Sequence, residues 1–258
     1  MVKYAKVKGP QVLRKLLAYP TVIVDALVKA VGKDQIRRSM LCGKLRFGTL
    51  FSGMCTAEQA LRILKCELKR HDIEFQPSLQ YTCDIDRSCQ KVCGQFQKCC
   101  FGNILHLVTG ASRPGSMHAR MRRALCTAKR TKKAWCTLHH RNCPLPQTED
   151  FVIGGNPDTN FQHFEMYVLL CFQATAYKST KLYLGTSCVD FSNAGKRRRL
   201  DGPTLPTTLA FTTVLAGSGA GLHENVKGFP DLLETHMTEH NVNKFIVAPG
   251  QFGGHVSV

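Results

Sequence analysis

The chain has 258 residues, of which 43% are hydrophobic and 21% charged, and its formal net charge is +17. A chain of this length and composition can bury a full core, which excludes wholesale disorder. Its longest apolar run, residues 166–172, is too short for a membrane span of about 20 residues, so we expect no membrane protein. The positive charge favours a polyanionic partner, with nucleic acid first and an acidic membrane surface second.

After an N-terminal helical lead-in, residues 1–46, the apolar pattern alternates between strand and helix periods. The expected elements are a strand at 45–51, a helix at 57–69, a strand at 79–85, a helix at 88–96, a strand at 101–108, a strand at 181–188, a helix at 203–215 and a last strand at 243–250. This alternation predicts an α/β fold with a doubly wound, mostly parallel sheet. We expect residues 47–258 to form one domain with a basic insertion at about 110–180.

The positive charge is concentrated in the middle of the chain. Between Arg87 and Thr148 there are twelve Lys or Arg residues and no Asp or Glu. A second basic run, at 196–199, follows the strand expected at 181–188. Cations in these runs can bind phosphates, Trp135 can stack on a base, and a nuclear import signal is another interpretation of the same runs. The residues predicted to contact nucleic acid are Arg120, Arg123, Lys129, Arg130, Lys132, Lys133, Lys196, Arg197 and Arg198.

Thirteen cysteines are present, and no export signal is visible at the start of the sequence. Reduced thiols in an intracellular protein are therefore expected. Eight residues suggest zinc: Cys89, Cys93, Cys99, Cys100, Cys136, His139, His140 and Cys143. Their spacing does not form two CxxC pairs, so we expect cysteines that pack in the interior and no metal site.

Polar and small residues follow the expected strands. The turn at 51–54 (FSGM) follows the first strand, where a glycine lets the main chain approach a ligand. Asp84 ends the second strand, where an acid either binds ribose hydroxyls or caps the next helix. Cys188 directly precedes a basic run, which suits either a reactive thiol or a buried packing residue. Glu224 offers a carboxyl group that could donate a proton across a cleft.

In this order the motifs resemble those of the C5-cytosine DNA methyltransferases, over roughly residues 45–255. LFSGM (50–54) resembles the family's first motif, which surrounds the methionine part of S-adenosylmethionine. Asp84 matches the ribose-binding acid, and FGNI (101–104) resembles the Gly-Asp-Ile motif near adenine. SCVDFS (187–192) is similar to Pro-Cys-Gln-x-Phe-Ser, which carries the nucleophile, and HENVKGF (223–229) to the Glu-Asn-Val motif, whose Glu contacts the target base.

The resemblance implies a Rossmann-like methyltransferase fold that transfers a methyl group from S-adenosylmethionine to C5 of cytosine in DNA. Cys188 would attack C6 of the base, and Glu224 would contact N3. RNA is also a possible substrate, since no residue here reads the sugar. The alternative outside the enzymes is an inactive methyltransferase remnant that binds nucleic acid through its basic block. In a eukaryote the protein would be nuclear. The cofactor contacts implied are Phe51, Gly53, Met54, Asp84 and Asn103.

The sequence departs from the family at several positions. Thr49 stands where the family has an acid, and Cys55 replaces the second glycine of the first motif. The segment 149–161 (EDFVIGGNPDTNF) looks like a second Gly-Gly-x-Pro-x-x-x-Phe motif with Asp158 in the place of the cysteine, so we favour Cys188 and interpret 149–161 as an insertion or degenerate duplicate. The residues before Glu224 have poor strand propensity. The chain ends at QFGGHVSV, before the point at which the family's target-recognition region and its last strand would follow, so we expect both to be absent.

Overall fold

The structure, a computed structural model, describes residues 18–39, 44–53, 55–109, 129–147, 151–154, 204–216 and 220–223, with the backbone alone for 151–154 and 220–223. The strands are β1 (Lys44–Leu50), β2 (Gln76–Cys83), β3 (Cys99–Phe101), β4 (Lys133–Cys136), β5 (Arg141–Pro144), β6 (Phe151–Gly154) and β7 (Ala220–His223). The helices are α1 (Tyr19–Val31), α2 (Lys33–Ser39), α3 (Thr56–Lys69), α4 (Arg87–Gly94), a 3-10 helix (Ile104–Leu107) and α5 (Leu205–Ala216).

One seven-stranded sheet has the order β5-β4-β3-β2-β1-β6-β7. The strands from β3 to β7 in that order pair in parallel, whereas β4 and β5 form an antiparallel hairpin that is added beside β3. The chain moves outward from β1 to β3 and returns to the opposite side of β1 with β6, so the strand order reverses between β1 and β6. This confirms the α/β class and a mostly parallel sheet. Ligands of such sheets bind at the carboxyl ends of the strands, next to the reversal.

Helices cover both faces of the sheet. Phe47 packs with residues of α1, α2 and α3 on one face, and Leu50 packs with residues of α5 on the other, as strand alternation requires. The helix predicted at 57–69 is confirmed, and its apolar stripe, Ala60, Leu61 and Leu64 among them, is buried. The helix predicted at 203–215 is confirmed as α5. Because α1 and α2 share the cluster of α3, the described part of the expected lead-in belongs to the same core.

A β-bulge in β2 turns Tyr81 to the opposite face from Leu79. Phe47 pairs with Leu79 while the next residue, Gly48, pairs with Tyr81, so Gln80 has no partner on β1. The Tyr81 ring therefore lies across Gly48, where a Cβ atom would overlap the ring carbons. Only glycine fits at this position of β1.

The basic insertion expected at 110–180 is not separate from the sheet in its described parts. Residues 133–144 form β4 and β5, and residues 151–154 form β6, which pairs with the central strand β1. The sequence EDFVIGGNPDTNF looks like a strand that runs into a Gly-Gly turn, and β6 is that strand, although the segment was expected to be an insertion or a degenerate duplicate. Its strand conformation depends on its two neighbours, β1 and β7. The strands expected at 181–188 and 243–250 lie outside the described residues.

Candidate functional site

A tight turn joins β1 to α3 at the carboxyl end of the sheet. Phe51, Gly53 and Cys55 have positive φ angles of 56°, 53° and 59°. That conformation is costly for the two residues that carry side chains. The turn is tied to β2 because the Ser52 N–H donates to the carbonyl oxygen of Cys83 at 3.1 Å. The strained turn therefore lies at the end of β2, where the sequence predicts cofactor contacts.

Asp84 follows β2 and is hydrogen-bonded to this turn. Its Oδ2 accepts from the Gly53 N–H at 2.7 Å, its Oδ1 accepts from the Asp86 N–H at 2.9 Å, and its residue is only 7% exposed. Asp86, and not Asp84, caps α4 by accepting from the N–H groups of Ser88 and Cys89. Those main-chain N–H groups, Cys89 first, hold the pKa of Asp86 below its usual value. Asp84 thus shapes the turn, and each of its oxygens has a second acceptor position.

Glu58 places a buried carboxyl group beneath the same turn. The Thr49 hydroxyl donates to its Oε1, and the Thr49 and Ser52 hydroxyl oxygens lie 2.9 Å apart. Within the described part of the chain its Oε2 has no hydrogen-bond partner. Burial raises the pKa of Glu58 to about 7, against the lowering effect of the Thr49 hydrogen bond and with a smaller rise from Asp84. α3 therefore places a carboxyl group next to Thr49, the position at which the family that the sequence resembles has an acid.

The thiol of Cys55 points into the protein. Cys55 is fully buried, and its Sγ lies 2.7 Å from the Sγ of Cys93 on α4, in a cluster that also contains Cys100. The side chain that replaces the family's second glycine is thus accommodated between the turn and α4. This packing agrees with the expectation that Cys93 and Cys100 are interior cysteines.

Ile85 is an exposed hydrophobic residue directly after Asp84 that the sequence pattern did not single out. It follows Asp84 directly and is 74% exposed, more than Val22, Trp135 or Leu138, the other large hydrophobic residues exposed in the described part of the chain. A side chain of this size normally packs away from water. Its position beside the turn offers an apolar contact to any ligand bound at the carboxyl end of the sheet.

Two further predicted cofactor residues are described. The Asn103 side chain accepts from the Leu105 N–H at 2.9 Å and so caps the 3-10 helix. Phe51 is partly buried, with its ring centroid 6.4 Å from that of Phe211 on α5. Met54 lies outside the described residues.

The strand ends bring the separate motifs to one level of the sheet. Leu50 pairs with Cys83 on one side and with Gly154 on the other, and Gly154 pairs with His223. The chain therefore leaves β1, β2, β6 and β7 side by side. Both predicted catalytic residues, Cys188 and Glu224, lie outside the described residues. However, β7 ends at the residue before Glu224. This strand forms despite the poor strand propensity of its sequence.

The described part of the basic block contains both exposed and packed cations. Lys129, Lys132 and Lys133 are exposed, and Trp135, next to them on β4, is 50% exposed. Arg130 is different, because its guanidinium lies 5.6 Å from the ring centroid of Tyr81 and donates to its hydroxyl at 3.2 Å. Arg130 therefore packs on Tyr81, and its role in phosphate binding stays a prediction. The other predicted contacts, Arg120, Arg123, Lys196, Arg197 and Arg198, lie outside the described residues.

Four of the eight residues considered for zinc come together. The ligand atoms of Cys99, Cys136, His139 and Cys143, called here the Cys-His cluster, all lie within 4.8 Å of one another. The expectation of packing cysteines and no metal site is thus incomplete, because this arrangement can hold a metal ion. The signal in the sequence is a Cys-x-x-His pair, which has the spacing of CxxC with His in place of the second Cys.

The comparisons with known proteins add no assignment. No protein-family model matches the chain, and no match is found among curated proteins. In the described ranges of the chain, none of the helices combines the length and the apolar character that a membrane crossing requires. The function has to be inferred from the carboxyl end of the sheet.

Proposed function

We propose that this chain is an S-adenosylmethionine-dependent methyltransferase of the C5-cytosine type, with a Rossmann-like sheet, acting on DNA. One observation carries the proposal. The turn at 51–55 and Asp84 are joined by the hydrogen bond from the Gly53 N–H, at the point where β6 and β7 also end. The motifs at 50–54, 84, 101–104 and 223–229 thus begin where neighbouring strands end, whereas the motif that contains Cys188 lies outside the described residues.

The residues at the turn suit the proposed cofactor. Asp84 is an acid at the end of β2 with acceptor positions for ribose hydroxyls, and Ile85 offers an apolar surface to an adenine ring. Cys55 adds no obstacle outside the turn because its thiol is buried against Cys93. The cofactor would supply an electrophilic methyl group. The protein would position that group over the carboxyl ends of β1 and β2.

The proposed catalytic groups activate the base. Cytosine C5 is a poor nucleophile, so the Cys188 thiolate forms a bond to C6, which makes C5 electron-rich enough to take the methyl group. Glu224 stabilises the charge that develops on the ring by contact at N3. A base then removes the proton from C5, and the bond between Cys188 and C6 breaks. A duplex substrate has to flip the cytosine out of the stack, and cations such as Lys132 and Lys133 would bind its backbone phosphates.

A second candidate function is nucleic-acid binding without methyl transfer. The observation that favours it is the position of β6. This strand lies beside β1, and the segment that follows it carries Asp158 where the similar motif has a cysteine. A carboxylate does not readily replace a thiolate at C6. Catalysis therefore depends on Cys188 reaching the same end of the sheet.

Calorimetric titration with S-adenosylhomocysteine tests the first step. We expect binding by the wild type and weaker binding by Ile85→Ser, because this exposed side chain contributes little to stability but lies beside Asp84. Val22→Ser is the matched control, since Val22 is also an exposed hydrophobic residue but lies on α1. The absence of both heat and thermal shift in the wild type would overturn the proposed cofactor and favour the second candidate.

Trapping on an oligonucleotide that contains 5-fluorocytosine tests the second step. Fluorine at C5 cannot leave as a proton does, so a covalent adduct with the attacking thiol persists. We expect the wild type to cross-link in the presence of S-adenosylmethionine and Cys188→Ala not to do so. Cofactor binding without any cross-link would remove methyl transfer to cytosine from the proposal while leaving the cofactor site in place.

A further inference from the structure

We propose that the Cys-His cluster binds a structural zinc ion that fastens the β4–β5 hairpin to β3. The inference is independent of methyl transfer. It depends on the geometry of four side chains that come from β3, β4, the turn after β4, and β5: Cys99, Cys136, His139 and Cys143.

The interatomic distances match tetrahedral zinc. The Nδ1 atom of His139 lies 3.7 Å from the Sγ of Cys99, 3.3 Å from that of Cys136 and 3.5 Å from that of Cys143. Zinc bonds of about 2.3 Å to sulfur and about 2.0 Å to nitrogen, at a tetrahedral angle, place the two ligand atoms about 3.5 Å apart. A metal ion could therefore enter this cluster without a large movement of the backbone.

The backbone brings these side chains to one face. Phe101 on β3 pairs with Cys136, and Ala134 pairs with Cys143. Because Cys99 is two residues before Phe101, and Cys136 two after Ala134, the three thiols share a face of the sheet. The turn at 137–140 is anchored to β3 by Thr137, whose N–H and hydroxyl both donate to the Cys100 carbonyl oxygen, at 2.8 and 3.0 Å.

Packing alone does not explain the cluster. The Nδ1 atom of a neutral imidazole has one lone pair or one proton, so it cannot satisfy three thiols by hydrogen bonding. His139 is exposed, whereas Cys136 and Cys143 are buried, so the imidazole completes the set from the solvent side. A single zinc ion satisfies all four groups at once. Three cysteines and one histidine are a common set for structural zinc, with no position left open for a substrate.

The hairpin has few contacts of its own that would hold it to β3. Each of its strands is four residues long, and a short two-stranded hairpin is only marginally stable by itself. Its ladder to β3 consists of the Phe101–Cys136 pair. The zinc ion would link both strands of the hairpin to β3 and would fix Lys133 and Trp135 on the outward face of β4.

Metal analysis of the untagged full chain, expressed with zinc and dialysed, tests the proposal. We expect about one zinc ion per chain in the wild type. In His139→Ala and in Cys143→Ser the zinc content per chain should be at least about tenfold lower. His139→Cys should retain zinc because it keeps four ligands. The matched controls are His140→Asn, the neighbouring exposed histidine in a left-handed conformation that Asn tolerates, and Cys66→Ser, an exposed cysteine on α3.

Two spectroscopic measurements decide the outcome where a variant folds poorly. Cobalt(II) added to the metal-free wild type should give the visible bands of a tetrahedral thiolate site, and His140→Asn should give the same bands. Trp135 is the only tryptophan in the chain, so removal of zinc by a chelator should change its fluorescence. The proposal is overturned by a wild type that takes up neither metal, by His139→Ala with unchanged zinc content, or by a disulfide among the three cysteines.

Discussion

The buried carboxyl group of Glu58 should make the stability of this protein fall as the pH rises. Its pKa is raised from 4.5 to about 7, chiefly by burial, so the folded state binds the proton more tightly than the unfolded chain does. The stabilisation is therefore fully present below pH 4.5 and is lost as the pH rises through 7. Each tenfold difference in proton affinity corresponds to about 1.36 kcal/mol. At pH 8 the free energy of unfolding should therefore be lower by roughly 3 kcal/mol than it is below pH 4.5, as far as Glu58 is concerned.

Glu58→Gln removes this titration and keeps the shape of the side chain. Its amide oxygen can still accept from the Thr49 hydroxyl, as Oε1 of Glu58 does. We expect the free energy of unfolding of Glu58→Gln, relative to the wild type, to increase by about 2.5 kcal/mol between pH 5 and pH 8. Urea unfolding at four pH values across this range measures the difference, because other titrating groups contribute equally to both proteins.

Glu74→Gln, which makes the same substitution at an exposed glutamate, is the control for this measurement. If the curves for the wild type and Glu58→Gln run parallel between pH 5 and pH 8, Glu58 does not titrate in this range. In that case the carboxyl group would not be desolvated as its position beneath the turn indicates.

The remaining predictions concern single contacts. Gly48→Ala should destabilise the protein by about 2 kcal/mol, because the new Cβ atom overlaps the Tyr81 ring. In Gly94→Ala the Cβ atom has ordinary contacts on α4, so urea unfolding should show no loss. Arg130→Met should lower stability by about 1 kcal/mol without changing the slope of DNA affinity against salt. Lys133→Met should leave stability unchanged and reduce that slope by about one charge. A smaller slope for Arg130→Met, with an unchanged slope for Lys133→Met, would favour phosphate binding by Arg130.

The long amphipathic elements could be predicted from a strong local signal in the sequence, whereas the short strands have only a weak one. The helix Thr56–Lys69 has a full apolar stripe, and the strand Gln76–Cys83 contains several buried residues, so each has a local signal. The strand Phe151–Gly154 and the strand Ala220–His223 have four residues each. Their conformation depends on the backbone pairing that each receives from its neighbours in the sheet.

The site shows the same division between local and distant causes. Asp84 at the end of β2 could be predicted, because its position follows from the strand alone. Glu58 could not, since a single acid in the first turn of α3 becomes meaningful only when Thr49 lies opposite it. The Cys-His cluster could be predicted only in part: its four residues are among the eight considered for zinc, but Cys99 and Cys136 are far apart in sequence and meet only when the hairpin pairs with β3.

The motif order and the sheet topology favour different segments as the position of the nucleophile. Cys188 has the better motif, but β6 lies beside β1 and ends at Gly154, only four residues before Asp158. If the segment after β6 is the one that faces the base, a thiol introduced there should recover the adduct. In that case Asp158→Cys, made in the Cys188→Ala background, should restore cross-linking to 5-fluorocytosine DNA.

The double variant is informative in both directions. Its control is Asp158→Ala in the wild-type background, which should still cross-link if Cys188 alone is the nucleophile. Recovery of the adduct by the introduced thiol would mean that the end of β6 faces the target base and that the natural chain supplies its thiol from a later segment. If the adduct is not recovered while cofactor binding is intact, the end of β6 does not lie next to the target base, and Cys188 remains the proposed nucleophile.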